Sequence, residues 1–404
     1  MLHKYLRFTS AHWKPLLFGS ILMALSSFGQ TYFVALSGPQ FRQAFDLSDG
    51  GLGTVYAIGT VLSALTLPWL GRLIDRVSVQ RYSLCVAALL TGACLLTAFS
   101  PAVFFLGLSF YLLRLGGQGL MVHTAMTATA RNFPVDAGKA LGVIALGLAI
   151  AQAIMPLGAV SLIDHLGWRA AWAINAVVVV LGTAVALKVL PRQVAIAAPA
   201  SSNASNKAGS KGLALWLDAR LLVTLPVILA SPFVTTGFFF HQVRLAEEKS
   251  WAISWVAAWF IAYAITQAIS LLIAGPIIDR IGPKRSLPYF MAPQAAAMLA
   301  LALSNSVWVA PVYLILTGVS SAVASTLATA LWMQLYGPEQ LGRIRSFVGA
   351  WTVIASGASP VVMGLLIDQG VSLQAQALGC FVYMVLASLL SFKAIKLERD
   401  LIQP

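Results

Sequence analysis

Runs of about 20 mostly apolar residues follow one another almost end to end along this chain, and each is long enough to cross a bilayer as a helix. They occupy residues 16–36, 52–70, 82–99, 103–125, 140–163 and 168–190, and then 221–240, 251–273, 287–303, 307–331, 347–367 and 373–395. Of the 404 residues, 59% are hydrophobic and only 10% charged, whereas a soluble domain carries about a quarter charged residues. Irregular backbone cannot face lipid, because its N–H and C=O groups would go unpaired there. The runs lack the two-residue alternation of barrel strands, so they read as helices. The expected fold class is therefore an all-α membrane protein with twelve transmembrane helices.

A net charge of +13 would point to nucleic acid on a soluble protein, but the placement of the charges points elsewhere. Numbering the connections between runs, one side holds Lys4, Arg7 and Lys14; Arg72, Arg76 and Arg81; Arg131 and Lys139; Lys188, Arg192, Lys207, Lys211 and Arg220; Arg280, Lys284 and Arg285; Arg343 and Arg345; and Lys393, Lys396 and Arg399. The other side holds only Arg42, Arg169, Arg244 and Lys249. The positive-inside rule then puts both termini in the cytoplasm of a multi-pass inner-membrane protein. Cys85, Cys94 and Cys380 fall in apolar runs without metal-ligand spacing and read as packing residues. The basic start followed by a full-length apolar run reads as an uncleaved first span. Residues 195–212, rich in Ala, Ser, Asn and Gly, read as a flexible linker. It divides the chain into a six-helix bundle over 1–194 and a second over 213–404.

The two halves match at one ungapped offset. Gly71-Arg-Leu-Ile-Asp75-Arg76 recurs as Gly275-Pro-Ile-Ile-Asp279-Arg280, an offset of 279 − 75 = 204. The same offset pairs Arg81 with Arg285, Pro134 with Pro338, Gly138 with Gly342, Pro156 with Pro360, and Ile163-Asp164 with Ile367-Asp368. A duplicated six-helix unit is a known transporter architecture. Here the chain resembles the major facilitator family. The first motif, with Arg81, is similar to the family signature between the second and third spans. The second, with Gly282 and Arg285, is similar to its repeat between the eighth and ninth. The first copy has Val77-Ser78 where the family usually has glycine.

The resemblance implies a secondary transporter that works by alternating access as a monomer and takes the proton as its default coupling ion. It implies no cofactor. It also implies a gating role for the signature loops, in which Gly71 and Gly275 let helices approach and Asp75 and Asp279 accept from helix N-termini and pair with nearby arginines. The alternative is a tight basic turn that merely obeys the positive-inside rule.

Arg114 lies near the middle of the fourth run. A mid-membrane arginine costs at least about 2.5–3.5 kcal/mol, so such residues are usually functional. All thirteen acidic residues fall in connections, tails or helix ends, and the repeat places Gly318 opposite Arg114. Three readings stay open. An anionic solute supplies the missing charge; or backbone carbonyls and amides such as Gln30 or Gln118 hold the guanidinium for structural reasons; or the residue serves proton transfer. The third reading rests on the resemblance of Arg114-Leu-Gly-Gly-Gln118-Gly119 to the family's fourth-helix signature, with its Gln and Gly displaced by one position. Gln30 and Tyr32 in the first run, Gln152 in the fifth and Trp259 in the eighth are further binding candidates, each with a packing alternative. His123 and His241 are the titratable candidates for proton coupling.

No GxxxxGK[ST] loop occurs, which excludes ATP-driven transport by this chain alone. The fifth run lacks a Gly-Pro pair and no carboxylate sits within a span, which favours uptake or exchange of a small organic anion over drug export. A membrane-embedded enzyme would need converging acid, His, Ser or Cys groups, and a sensor would need a signalling tail. Neither pattern is present. The expected partners are a small-molecule solute, the proton and the lipid bilayer, with no nucleic acid and no metal.

Overall fold

The computed structural model describes residues 2–190 and 218–396, and these are helical with no strand among them. The linker expected at 195–212 lies outside the described residues. Packing divides the chain into two compact units, Met1–Ala200 and Ser201–Pro404.

The first unit contains α1 (Leu2–Ala11), α2 (Trp13–Leu25), α3 (Thr31–Val34), α4 (Gly38–Phe45), α5 (Asp49–Gly71), α6 (Val79–Ala98), α7 (Val103–Leu113), α8 (Val122–Asn132) and α9 (Ala137–Val189). Serine caps set two of the starts. Ser48 Oγ accepts from the Gly51 N–H at 3.0 Å before α5, and Ser78 Oγ from the Arg81 N–H at 3.3 Å before α6. The long α9 packs against α2 and α6, and α5 packs against α7. Its core is aromatic: Phe41, Tyr56, Phe110 and Trp172 are fully buried, and the Trp172 indole N–H donates to Ser37 Oγ at 3.1 Å.

The second unit contains α10 (Ala219–Phe240), α11 (Gln242–Glu248), α12 (Ile253–Ile281), α13 (Pro283–Ser286), α14 (Ala292–Leu303), α15 (Val309–Asp368) and α16 (Leu373–Lys396). Here α15 is the centre, packing on α12, α10 and α14.

Among the described residues nine helices are long and apolar enough to cross a membrane, or ten with the bent pair Trp13–Gly29 and Thr31–Phe45 taken as one span. The difference from twelve has physical causes. The first run is broken by a 49° bend. The 53 residues of α9 are about 80 Å of helix, more than twice a 30 Å hydrocarbon core. They are interrupted at Gly167, whose φ of 78° places it in the left-handed region that glycine enters freely. The ninth run forms only the short apolar α14. Outside the cores the surface is itself apolar: Trp69 is 78% exposed, and Leu272, Phe104 and Leu303 are nearly as bare. Such large exposed side chains suit a surface whose solvent is lipid.

Candidate functional site

The site in the first unit grows from a break in the first membrane run. Gln30 is extended (φ −80°, ψ 146°) between the turn Ser26–Gly29 and α3. The Phe33 N–H turns to Gln30 O at 3.1 Å, which frees the Gly29 carbonyl from the helical ladder. The facing helix is distorted at the same level, since Arg114–Met121 is wound as a π-helix between α7 and α8. Such widened turns occur often at functional sites.

Two glycines make the contact possible. A Cβ on Gly117 would stand 2.6 Å from the Gly29 nitrogen and 2.7 Å from its Cα, and a Cβ on Gly29 would stand 2.8 Å from Gln118 N. Backbone therefore meets backbone, and the orphaned Gly29 carbonyl comes within reach of Arg114. Arg114 Nη1 donates to Gly29 O at 3.4 Å and to Thr31 Oγ1 at 3.2 Å. Thr31 Oγ1 also shares a hydrogen bond with the Tyr56 hydroxyl at 2.7 Å. The guanidinium carbon lies 5.4 Å from the Tyr56 ring centroid, a cation–π distance.

Arg114 is 7% exposed. Its Nε–H has no hydrogen-bond partner, and no carboxylate pairs with it, among the described residues. A buried cation held only by neutral acceptors keeps unspent capacity for an anion.

The sequence candidates fall into place unevenly. Gln30 is half-buried at the break, and Tyr32 is buried beside Phe33, ring centroids 6.4 Å apart. Gln118 is exposed, and of the acceptors the structural reading named, a backbone carbonyl, that of Gly29, holds the guanidinium, while neither amide does. Gln152 is buried with Oε1 unbonded among the described residues. Trp259 joins an aromatic cluster, 5.6 Å from Trp255 and 6.4 Å from Trp308, while Trp251 leaves that face to donate to Asn305 O at 2.9 Å. His241 is buried at the end of α10, with Nε2 3.1 Å from Pro360 O. Thr31, Tyr56 and Gly29 were not singled out by sequence reasoning. Thr31 was signalled by its place in the polar Gly29–Tyr32 stretch, and Tyr56 by nothing.

The two signature loops differ. In the first unit α8 holds the loop: His123 Nε2 lies 3.1 Å from Gly71 O, Arg131 Nη1 donates to Ile74 O at 3.2 Å, and Arg131 Nη2 pairs with the Asp75 carboxylate. Tyr82 OH adds a bond to Leu70 O at 3.0 Å. Asp75 thus pairs with Arg131 rather than with Arg76 or Arg81, which are both exposed. In the second unit Asp279, Arg280 and Arg285 are exposed, and Asp279 has no partner among the described residues. A Cβ on Gly275 would meet nothing within 4 Å, so the close approach expected there is absent. The reason is local. The chain stays helical through Ile281 and turns only at Gly282, with φ 94°, whereas the first copy tightens into a 3-10 turn at Arg72–Asp75. No cluster of three or more potential metal ligands occurs among the described residues.

Comparison with known proteins is consistent with this architecture. A curated relative, the Gentisate transporter of Corynebacterium glutamicum, is 25% identical over 359 residues, covering 87% of this chain and 80% of the relative. A bacterial homolog of the human lysosomal transporter Spinster, solved in an inward-facing and occupied conformation, superposes with a TM-score of 0.72 at 13% identity, covering 95% of this chain and 97% of that one. A mutant of the nucleoside transporter NupG gives 0.75 at 12% identity, covering 94% and 99%. The fold is thus that of membrane transporters. The Major Facilitator Superfamily model matches residues 16–255 and 238–401, nearly the whole chain and both copies of the repeat, so this protein belongs to the Major Facilitator Superfamily.

Proposed function

We propose that this protein is a secondary active transporter that takes up or exchanges a small organic anion, a carboxylate, by alternating access, driven by protons. It would act as a monomer in the cytoplasmic membrane with both termini in the cytoplasm, as the distribution of Lys and Arg favours. The observation that carries the anion reading is Arg114, a buried mid-span cation whose partners are all neutral and whose Nε–H is unused. The charge of a guanidinium is permanent, and inside a bilayer it favours any anion that reaches it. The curated relative named for gentisate, itself a carboxylate, agrees with this class.

Proton coupling is assigned to His123. It is half-buried and joins the fourth run to the first residue of the signature loop, so its charge state bears on the loop directly. His241 is buried against Pro360 O. An exporter of lipophilic cations is the competing function, and the Gly29 carbonyl supports a competing role for Arg114 as a brace across the helix break.

A ligand screen separates these readings. Thermal unfolding of the purified protein is followed against carboxylates, gentisate among them, and against lipophilic cations. A shift with carboxylates that vanishes in Arg114→Gln supports the anion carrier. A shift with cations alone sinks it. For coupling, uptake into proteoliposomes should lose its dependence on an imposed pH gradient in His123→Gln; an unchanged dependence removes His123 from the mechanism.

A further inference from the structure

The second unit buries a polar cluster of its own, and it is uncharged. Tyr263 and Gln267 are one turn apart on α12, and Gln267 Nε2 donates to the Tyr263 phenol at 3.2 Å. Ser321 of α15 lies against the same phenol. Phe239 of α10 packs edge-on to Tyr263, with ring centroids 5.3 Å apart, and meets Tyr313 of α15 at 6.5 Å. Tyr313 is 2% exposed, and its hydroxyl has no hydrogen-bond partner among the described residues. Nearby runs show the same surplus. Gln294 of α14 spends its amide nitrogen on Thr235 Oγ1 at 2.8 Å and leaves its buried Oε1 without a described partner.

Packing alone does not call for these groups. A phenylalanine fills nearly the same volume as Tyr313 without burying an unpaired hydroxyl, which is costly even in water-soluble cores. The repeat makes the same point. At the offset of 204 (279 − 75), Tyr263, Gln267, Gln294 and Tyr313 correspond to Gly59, Ser63, Leu90 and Ser109. Ser63 and Ser109 simply donate to their own helix, to Thr60 O and Leu106 O, each at 2.8 Å. The duplicated fold therefore does not require a polar centre here, and the second unit has acquired one.

The chemistry of the cluster defines what it fits. Its apolar part is the rings of Phe239, Tyr263 and Tyr313, and its polar atoms are hydroxyls and an amide, each of which can meet a neutral hydroxyl as donor or acceptor. No ionised side chain belongs to it. We propose that Tyr313, together with the hydrogen-bonded Tyr263–Gln267 pair and the neighbouring Ser321, forms a binding subsite for an uncharged hydroxyl carried on an aromatic ring. This deepens the transporter reading by giving the solute a hydroxylated ring. It does not depend on Arg114.

The test uses neutral probes, so that the anion reading and this one fail separately. Methyl 3-hydroxybenzoate and methyl benzoate are titrated calorimetrically into the full chain in lipid nanodiscs, as wild type, Tyr313→Phe, Gln267→Leu and Arg114→Gln. The wild type should prefer the hydroxylated ester by about tenfold or more, as expected where a ligand hydroxyl satisfies buried partners. Tyr313→Phe, which keeps the ring, should erase that preference while leaving the affinity for methyl benzoate within about twofold. Gln267→Leu should reduce the preference, and Arg114→Gln should keep it. Equal affinity of the wild type for both esters overturns the proposal. So does a preference that survives Tyr313→Phe, or one that disappears in Arg114→Gln. The acids 3-hydroxybenzoate and benzoate, titrated in parallel into wild type and Arg114→Gln, report on the anion reading alone.

Discussion

Replacing Arg114 by glutamine separates an anion site from a structural brace, and the structure sets the expected sizes. The substitution removes one charge and two hydrogen bonds, to Gly29 O at 3.4 Å and Thr31 Oγ1 at 3.2 Å. Both bonds are long and both acceptors are neutral, so each contributes about 1 kcal/mol. The same change relieves the cost of a cation in mid-bilayer, about 2.5–3.5 kcal/mol on insertion scales. These terms nearly cancel, and the ligand-free variant should stay within about 1–2 kcal/mol of wild type. Ligand binding has no such compensation. Removing one partner of a desolvated, hydrogen-bonded charge pair costs about 2–5 kcal/mol, a loss of roughly 30- to 4,000-fold in affinity. The assay is thermal unfolding in nanodiscs across a carboxylate titration. At 100 times its dissociation constant the ligand adds about 2.7 kcal/mol to the wild type, and at the same concentration it should add at most about 0.9 kcal/mol to the variant. A variant that loses several kcal/mol without ligand yet keeps the full ligand-dependent gain refutes the argument and makes Arg114 a brace.

Gly117→Ala places a Cβ 2.6 Å from Gly29 N, an overpacking that should cost about 1–3 kcal/mol. Because it displaces the carbonyl that Arg114 uses, stability and carboxylate affinity should fall together; an unchanged melting temperature would show that the two backbones do not meet. Asp218 caps α10, accepting from the Arg220 N–H at 2.9 Å. Burial pushes its carboxyl up, but its bonds to Arg220 outweigh that and hold it below the ordinary 3.8. Its contribution is present above pH 3.8 and is lost as pH falls through the lower folded-state value. Asp218→Asn should therefore cost about 0.5–1 kcal/mol at pH 7, discounted for a partly exposed partner, and the gap to wild type should close below pH 3.8. Asp75→Asn removes the partner of Arg131, and hydrogen exchange at residues 72–77 should quicken; unchanged protection would mean that the backbone bonds from Arg131 and Tyr82 suffice.

The helical membrane fold and the family were legible in the sequence because they depend on features that local composition records. Apolar length and a motif repeated at one offset both survive without knowledge of tertiary contacts. Arg114 stood out for the same reason, since a cation in an apolar run is anomalous by itself. What surrounds it was not legible. Backbone carbonyls and the amides of Gln30 and Gln118 were all open as acceptors for the guanidinium, and nothing in the apolar run told which. The actual acceptor is a main-chain carbonyl, released by a break at Gln30 that no proline marks. Tyr56 reaches the site because Gly59, one turn on, lets α5 approach α7, where a Cβ would stand 2.8 Å from Tyr111 N. The apolar pattern of α5 did not single out that face. The signature loops show the converse limit. Their sequences match closely, yet Asp75 is paired and Asp279 is exposed, because the decisive residue, Arg131, lies on a different helix and the offset brings no arginine to its counterpart, Leu335.

The divergence of the repeat explains how a duplicated unit acquires two kinds of chemistry. Gly318 stands where Arg114 stands in the first unit, and a side chain there has no room. A Cβ on Gly318 would lie 2.5 Å from Thr266 Oγ1 and 2.6 Å from Tyr263 O. A close helix contact lies at that level in both units, but between different pairs of runs. In the first, Gly29 meets Gly117 and a long cation reaches past the contact to the freed carbonyl. In the second, Gly318 admits α12 so closely that Thr266 shares its hydroxyl between Ala262 O at 2.7 Å and Ile315 O at 3.3 Å, which brings Tyr263 up against Ser321. A glycine-mediated crossing thus positions a charged group in one copy, and a different one positions neutral hydroxyls in the other. It follows that Gly318→Ala should disturb the neutral cluster and leave Arg114 untouched. In that variant the hydroxyl preference between neutral esters should fall while carboxylate binding persists. Loss of both together would show that the variant fails to fold and that the two chemistries cannot be separated at this position.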